Sequence, residues 1–119
     1  DTFVFTTGDT GITEAEADTI TDFVSGNDLL DLASIVDGNI GTYVEVNGAA
    51  NNFNAFTTNA TASFSGSAVD IYVEYNLNGS GNTYLVVDEN SSGDVSAGDT
   101  LIILSGLSGA DAIDSSDFI

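Results

Sequence analysis

The sequence predicts a mainly β domain, either a short sandwich or the cap of a roll, with one or two short helical pieces. Several segments alternate between apolar and polar residues with the period of a half-buried strand. Turn-forming Gly, Asn, Asp and Ser separate these segments from one another. Two apolar runs, residues 84–87 and 101–104, flank a single polar loop, which is the arrangement of two strands joined by a long connection.

The composition is strongly acidic and has no basic side chain. Among 119 residues there is no Lys, Arg or His, and 19 Asp and Glu give a formal charge of −19. This length predicts one domain over residues 1–119. A hydrophobic content of 42%, with seven Phe and four Tyr, is too high for an acidic disordered chain. Because no side-chain salt bridge can form, the carboxylates repel one another, and divalent cations from solution are the natural remedy.

The same composition excludes several functions. Nothing in the chain can neutralise phosphate, so nucleic-acid binding and adhesion to anionic membranes are not expected. The absence of Cys excludes a disulfide framework, and the absence of Cys and His excludes a zinc site of the Cys/His type. No apolar run reaches the length of a membrane span, so no membrane insertion is expected. The chain begins with Asp1 and shows no basic and apolar leader, so we expect a processed product or a fragment.

The first third of the chain predicts short strands. Residues 1–5 (DTFVF) alternate, with Phe3 and Phe5 on one face. They read either as an ordinary first strand or as the second half of a glycine-rich nonapeptide of the calcium-binding parallel β-helix type. Residues 18–23 (DTITDF) alternate as well, and residues 29–32 (LLDL) follow a turn, with Asp31 placed to cap a short helical turn.

The remaining segments complete the strand pattern. Residues 42–47 and 68–75 alternate as strands, and residues 78–82 (NGSGN) form a hairpin signal before the return strand at 83–87. Residues 48–62 predict a short helix or an irregular loop anchored by Phe53 and Phe56. Residues 100–104 are apolar on both faces, which predicts an interior strand, and residues 110–113 predict one helical turn.

The polar loop at residues 88–99 (DENSSGDVSAGD) has the spacing of an EF-hand-type calcium loop. Oxygen-bearing side chains occur at loop positions 1, 3, 5 and 12, and Gly93 occupies position 6, where such loops bend sharply. Calcium prefers six to eight oxygen ligands, and alternate residues of a tight loop turn their side chains inward. The predicted Ca²⁺ ligands in this loop are Asp88, Asn90, Ser92, Asp94 and Asp99.

Two features of the loop depart from the common pattern. Asp99 is shorter than the usual Glu at position 12, and Ser92 is a neutral ligand at position 5. The flanking runs also predict strands rather than helices. We therefore expect a weak affinity, with a dissociation constant of about 10⁻⁴ to 10⁻³ M. The alternative is a solvated Asx-rich hairpin loop that binds no metal.

Taken in order, these motifs resemble the C-terminal region of RTX proteins exported by type I secretion systems. The residues that carry the likeness are 1–5, 18–23, 26–28, 31–32, the strand pair with its Asp-rich loop, 104–106 and 116–119. The chain looks most like the domain that follows the β-roll in serralysin-type proteases, and is similar to the ends of RTX-type S-layer and other surface proteins. The full glycine-rich nonapeptides, the family's frequent Lys near residue 29 and the protease zinc motif are all absent.

The resemblance implies a fold, ligands and a role. The implied fold is a β-roll end over residues 1–32 continuing into an antiparallel β-sandwich over residues 33–119. The implied additional calcium ligands at the roll's end are Asp18 and Asp22, and the match extends to Asp1 and Asp28. Capping of turns and strand ends is the alternative for these four residues. The family's export signal, an acid followed by apolar residues, is matched by Asp117, Phe118 and Ile119.

The expected function is a non-catalytic C-terminal module of a secreted bacterial surface protein. It would fold with calcium outside the cell, carry a type I secretion signal, and have calcium ions and the type I secretion machinery as partners. The alternative is a calcium-dependent adhesion, sugar-binding or S-layer assembly module, in which exposed Tyr43, Tyr72 and Tyr84 stack on sugars or calcium bridges other copies. Nineteen acids make some close carboxylate pair inevitable, so such a pair is no signal of a glycosidase, and no enzymatic activity is expected.

Overall fold

The computed structural model describes residues 1–36, 42–109 and 113–119. Its strands and its helix follow in chain order: β1 (Thr2–Val4), β2 (Asp18–Ile20), β3 (Leu29–Asp31), β4 (Tyr43–Asn47), α1 (Phe53–Phe64), β5 (Ile71–Tyr75), β6 (Thr83–Val87) and β7 (Thr100–Leu104). Two 3₁₀ helices span Leu77–Gly79 and Ser115–Asp117. The helical turn predicted at 110–113 falls largely on residues 110–112, which lie outside the described residues.

A five-stranded sheet in the order β2-β7-β6-β5-β4 forms the centre of the fold. Strands β5, β6 and β7 make an antiparallel meander, whereas β4 pairs with β5 and β2 pairs with β7 in parallel. The prediction of a mainly β domain is confirmed. The sheet is mixed rather than antiparallel throughout, because its two outer strands arrive through long crossover connections, which parallel pairing requires.

A second, smaller sheet pairs β1 with β3 in parallel. The C-terminal segment extends it, since Phe118 forms a parallel bridge with Leu30 and the N–H of Ile119 donates to the carbonyl of Leu30 at 3.0 Å. Strands β1 and β2 lie in different sheets, although the same Asp-Thr-apolar sequence occurs at residues 1–3 and 18–20. Because β2 joins β7, the segments 1–32 and 33–119 share one sheet.

Apolar residues cover both faces of the large sheet. Between the two sheets lies a core that contains Phe5, Ile20, Leu30, Ile71, Val73, Leu85, Ile102, Leu104 and Phe118. On the opposite face, α1 covers a second core that contains Phe56, Ala60, Phe64, Tyr72, Tyr84, Val86, Leu101 and Ile103. Strands β6 and β7 are buried at every position, which explains their continuous apolar runs and confirms that residues 100–104 form an interior strand.

The helix α1 is 12 residues long, so the more regular of the two predictions for this stretch is the correct one. Asn52 caps its first turn by accepting a hydrogen bond from the N–H of Ala55 at 2.8 Å. Phe56, Ala60 and Phe64 recur every fourth residue and form the buried stripe. No helix among the described residues is long and apolar enough to cross a membrane.

Candidate metal site

The loop at residues 88–99 connects two antiparallel neighbours in the interior of the large sheet. Strand β6 leads into it and β7 leads out, and Val87 and Thr100 form the last pair in register below it. The flanks are thus strands, as their apolar runs predict. Buried strands on both sides give the two ends of the loop, Asp88 and Asp99, a fixed separation and a largely buried position, 6% and 2% exposed.

Asp88 folds the first half of the loop around its carboxylate. Its Oδ1 accepts from the N–H of Ser92 at 3.0 Å, and its Oδ2 accepts from the N–H of Gly93 at 2.9 Å. The amide oxygen of Asn90 accepts from the same Ser92 N–H at 2.8 Å. Gly93 has a φ of +78°, a left-handed conformation that favours glycine, so the predicted bend at loop position 6 is present.

The oxygen-bearing side chains of the loop converge on one another. The hydroxyl of Ser92 donates to Asp94 Oδ1 at 2.6 Å and lies 3.3 Å from the hydroxyl of Ser96. Ser96 in turn contacts Asp99 Oδ2, with its N–H at 2.7 Å and its hydroxyl at 3.3 Å. The amide nitrogen of Asn90 donates to the Ser96 hydroxyl at 3.3 Å. All five residues predicted from the loop spacing therefore belong to one hydrogen-bonded cluster.

Buried like charges face each other within this cluster. Burial, followed by the negative charge of Asp88, raises the pKa of Asp99, and N–H groups of Ser96 and Glu89 oppose that rise. Burial and the charge of Asp88 also raise the pKa of Asp70. Because the chain has no Lys, Arg or His to compensate these carboxylates, a bound cation would relieve the repulsion.

Two residues near the cluster were not predicted as ligands. Ser96 stands at loop position 9, where calcium loops often bind through a side chain or a water molecule, so the spacing contained this signal. Asp70 precedes β5, and its carbonyl accepts from the N–H of Asp88 at 2.9 Å. Its proximity follows from the pairing of Ile71 with Val87 and leaves no trace in the local sequence.

The donor set of the loop fits a hard cation such as Ca²⁺, because every candidate ligand is a carboxylate, amide or hydroxyl oxygen. In the described ranges, however, no group of three or more carboxylate, His or Cys side chains is placed to hold a metal by itself. An ion bound at this loop would depend on the neutral oxygens of Asn90, Ser92 and Ser96 beside the carboxylates of Asp88 and Asp99. Such a composition would give only weak binding.

The residues assigned by resemblance to the roll's end lie elsewhere. Asp18 and Asp22 are exposed and line an open cavity of 350 Å³ between β1 and β2, outside the cluster of the loop. Asp28 accepts from the amine of Asp1 and, at 2.8 Å, from the N–H of Val24. The amine, followed by the Val24 N–H, lowers the pKa of Asp28. Asp28 thus has the turn-capping contacts that were the alternative to a ligand role.

The C-terminal residues have structural contacts of their own. Asp117 is fully buried and accepts hydrogen bonds from the hydroxyl of Ser25 at 2.7 Å and the N–H of Gly26 at 2.8 Å. Phe118 lies in the core between the sheets, whereas Ile119 is 45% exposed. Two of the three residues that match the family's export signal are therefore inaccessible in the folded domain.

Two of the three tyrosines that were expected on the surface are buried. Tyr72 is 2% exposed and donates to Glu74 at 3.1 Å, and Tyr84 is 7% exposed and donates to Glu14 at 2.7 Å. Tyr43 is partly buried, with its ring 5.3 Å from that of Phe118. The expectation of exposed Tyr72 and Tyr84 is wrong, because α1 covers the face of the sheet to which both point.

No known family model matches this chain, and no curated protein matches it. The likeness to RTX C-terminal regions therefore stays a prediction from the residues that carry it.

Proposed function

We propose that this chain is a non-catalytic, calcium-stabilised module of a secreted bacterial surface protein, and that it carries a type I secretion signal at its C-terminal end. The observation that carries the calcium part is the convergence of Asp88, Asn90, Ser92, Asp94 and Asp99 in one hydrogen-bonded cluster. Calcium outside the cell is abundant enough to load a site of weak affinity, which suits a domain that completes its folding after export.

The secretion part is supported by the resemblance and by the arrangement of the first strands. In a roll, successive strands alternate between two sheets, and strands two apart pair in parallel. Here β1 and β3 pair in parallel in one sheet, while β2 belongs to the other. The end of the chain presents an acid followed by two apolar residues, the pattern from which the export signal is proposed.

Calcium binding is tested by isothermal titration of the metal-stripped domain. We expect one saturable event in the range of about 10⁻⁴ to 10⁻³ M, weakened at least tenfold by Asp88→Ala and by Asp99→Ala. Asp9→Asn is the matched control, because Asp9 is an exposed carboxylate that accepts only from the neighbouring Thr6. Equal weakening in all three variants would mean diffuse attraction to an acidic surface rather than a site.

The export signal is tested with a passenger fused ahead of the chain in a host with a type I exporter. Deletion of residues 117–119 removes both the signal and the contacts of Asp117, so it needs a control that disturbs the same region. Leu30→Ala serves, because Leu30 is fully buried and bridges Phe118. Export that fails in the deletion and persists in Leu30→Ala supports the signal, whereas equal export from both contradicts it.

Calcium-dependent assembly with other copies remains the alternative role. The burial of Tyr72 and Tyr84 removes two of the three tyrosines on which the sugar-binding version depended, and leaves Tyr43 partly buried. Sizing of the domain with and without millimolar calcium separates an assembly module from a monomeric one.

A further inference from the structure

The helix α1 depends on contacts outside itself. It is rich in Thr, Asn and Phe, which are weaker helix formers than Ala, Leu, Glu or Lys, and it has no charged residue and hence no stabilising i,i+4 ion pair. Isolated helices of about 12 residues are marginal in water. The helix therefore depends on the packing of Phe56, Ala60 and Phe64 against the sheet and on contacts at its two ends.

The candidate calcium loop provides such contacts at the C-terminal end of α1. The N–H of Val95 donates to the hydroxyl of Thr61 at 3.0 Å. A Cβ placed at Gly93 would lie 3.7 Å from the Cα of Ser65, so the bend of the loop rests on the residue that follows the helix. Val95 itself packs against the core beneath α1.

In the structure the loop is closed, and these contacts belong to that closed form. The closed loop holds the carboxylates of Asp88 and Asp99 in largely buried positions within one hydrogen-bonded cluster, where two negative charges repel. A cation bound among the loop oxygens would favour the closed form, and the closed form holds Val95 and Gly93 against the helix. One hydrogen bond and one packed surface would thus link binding in the loop to ordering of the helix end.

On this basis we propose that calcium binding in the loop at residues 88–99 orders the C-terminal half of α1 and so secures the cover over the second core. The coupling rests on the calcium site proposed above. The metal would act as a structural switch on a helix that supplies no ligand to it. By linkage, docking of the helix end strengthens calcium binding by the same factor as calcium strengthens docking.

The test combines hydrogen exchange with calorimetry on the whole domain. Amide exchange of residues 58–64 is measured by mass spectrometry in the metal-stripped and calcium-saturated domain, and we expect it to slow at least tenfold on saturation. Thr61→Val removes the acceptor of the Val95 N–H with little change in shape, and should weaken calcium binding by about 2- to 10-fold, the worth of one hydrogen bond. Thr58→Val is the matched control, because Thr58 is exposed and bonds only to Asn54 within its own helix.

The outcomes separate the coupling from the site. Absence of a calcium heat in the wild type overturns both proposals. Calcium binding without a change in the exchange of residues 58–64 overturns the coupling and leaves the site intact. Equal weakening of calcium binding by Thr61→Val and Thr58→Val also overturns the coupling, since it would reflect helix propensity rather than the contact with Val95.

Discussion

Two connections in the large sheet invite comparison, because both join antiparallel neighbours and both are rich in Gly, Asn and Ser. The turn at residues 76–82 joins β5 to β6, and the loop at residues 88–99 joins β6 to β7. The turn contains no carboxylate, whereas the loop contains four acidic residues, of which Asp88 and Asp99 are buried. The turn shows that two antiparallel neighbours of this sheet can be connected without any acidic residue, so chain reversal alone does not explain the four acids of the loop.

The hydrogen bonds of the two connections show the same contrast. In the turn, backbone N–H groups of Gly79 and Ser80 find carbonyls within the turn, each at 2.9 Å, and Leu77 anchors it in the core. In the loop, the N–H groups of Ser92, Gly93 and Ser96 donate instead to the carboxylates of Asp88 and Asp99. The turn is complete without a ligand, while the loop concentrates negative charge that a cation would neutralise.

The largest expected difference is the response to calcium. At a calcium concentration of about 100 times the dissociation constant, a single site adds about 2.7 kcal/mol of stability, which is a rise in Tm of about 10 °C for a domain of this size. Asp99→Asn should abolish most of that rise, and Asn78→Ala in the turn should leave it unchanged. Thermal melting followed by circular dichroism measures both. A calcium response that survives Asp99→Asn would place the ion elsewhere.

Gly81 and Gly93 give a matched pair of backbone substitutions. Their φ angles are +77° and +78°, so Ala introduces the same left-handed strain at each, about 1 kcal/mol. We expect Gly81→Ala and Gly93→Ala to lower the stability of the metal-free domain by similar amounts. Calcium affinity, measured by titration calorimetry, should fall only for Gly93→Ala. Equal affinities would show that the bend of the loop is no part of the site.

In the metal-free domain, the pH dependence of stability should change with substitutions in the loop but not with substitutions in the turn. The folded pKa of Asp99 lies above its ordinary value of 3.8. Its contribution to stability is thus fully present below 3.8 and is lost as the pH rises through the folded pKa. Relative to Asp99→Asn, the wild type should gain stability as the pH falls from neutral toward 3.8. The turn has no titratable group, so its variants should show the same pH dependence of stability as the wild type.

The smallest expected effect concerns Tyr84, near the turn end of β6. Burial and the hydrogen bond to Glu14 raise its pKa from 10.0 to about 12. The stability that this neutral phenol contributes is present below pH 10.0 and is lost as the pH rises through about 12. Tyr84→Phe should cost about 1 kcal/mol at neutral pH and should reduce the loss of stability in that alkaline window. Unfolding in urea at a series of pH values tests this, with Asp9→Asn as an unrelated control.

Much of the candidate site could be predicted from the sequence because it is local. Alternate oxygen side chains and the Gly at position 6 define a loop whose convergence depends on a few neighbouring dihedral angles. Asp70 could not be predicted, because a residue 18 positions before Asp88 reaches it only through the pairing of β5 with β6. The burial of Asp117 also escaped prediction, since its donors Ser25 and Gly26 lie at the other end of the chain.

The sequence by itself determined the properties that depend on near neighbours: the strand periods, the tight turn before β6, the spacing of the loop oxygens and the excess of negative charge. Tertiary structure decided the parallel entry of β2 and β4 into the sheet, the full length of α1 and the burial of Tyr72 and Tyr84. Each of these depends on contacts between segments that are far apart in the sequence. The helix α1 has a weak intrinsic propensity and forms because it buries its apolar stripe against the apolar face of the sheet. Local pattern specifies the elements, whereas the burial of apolar area selects their partners.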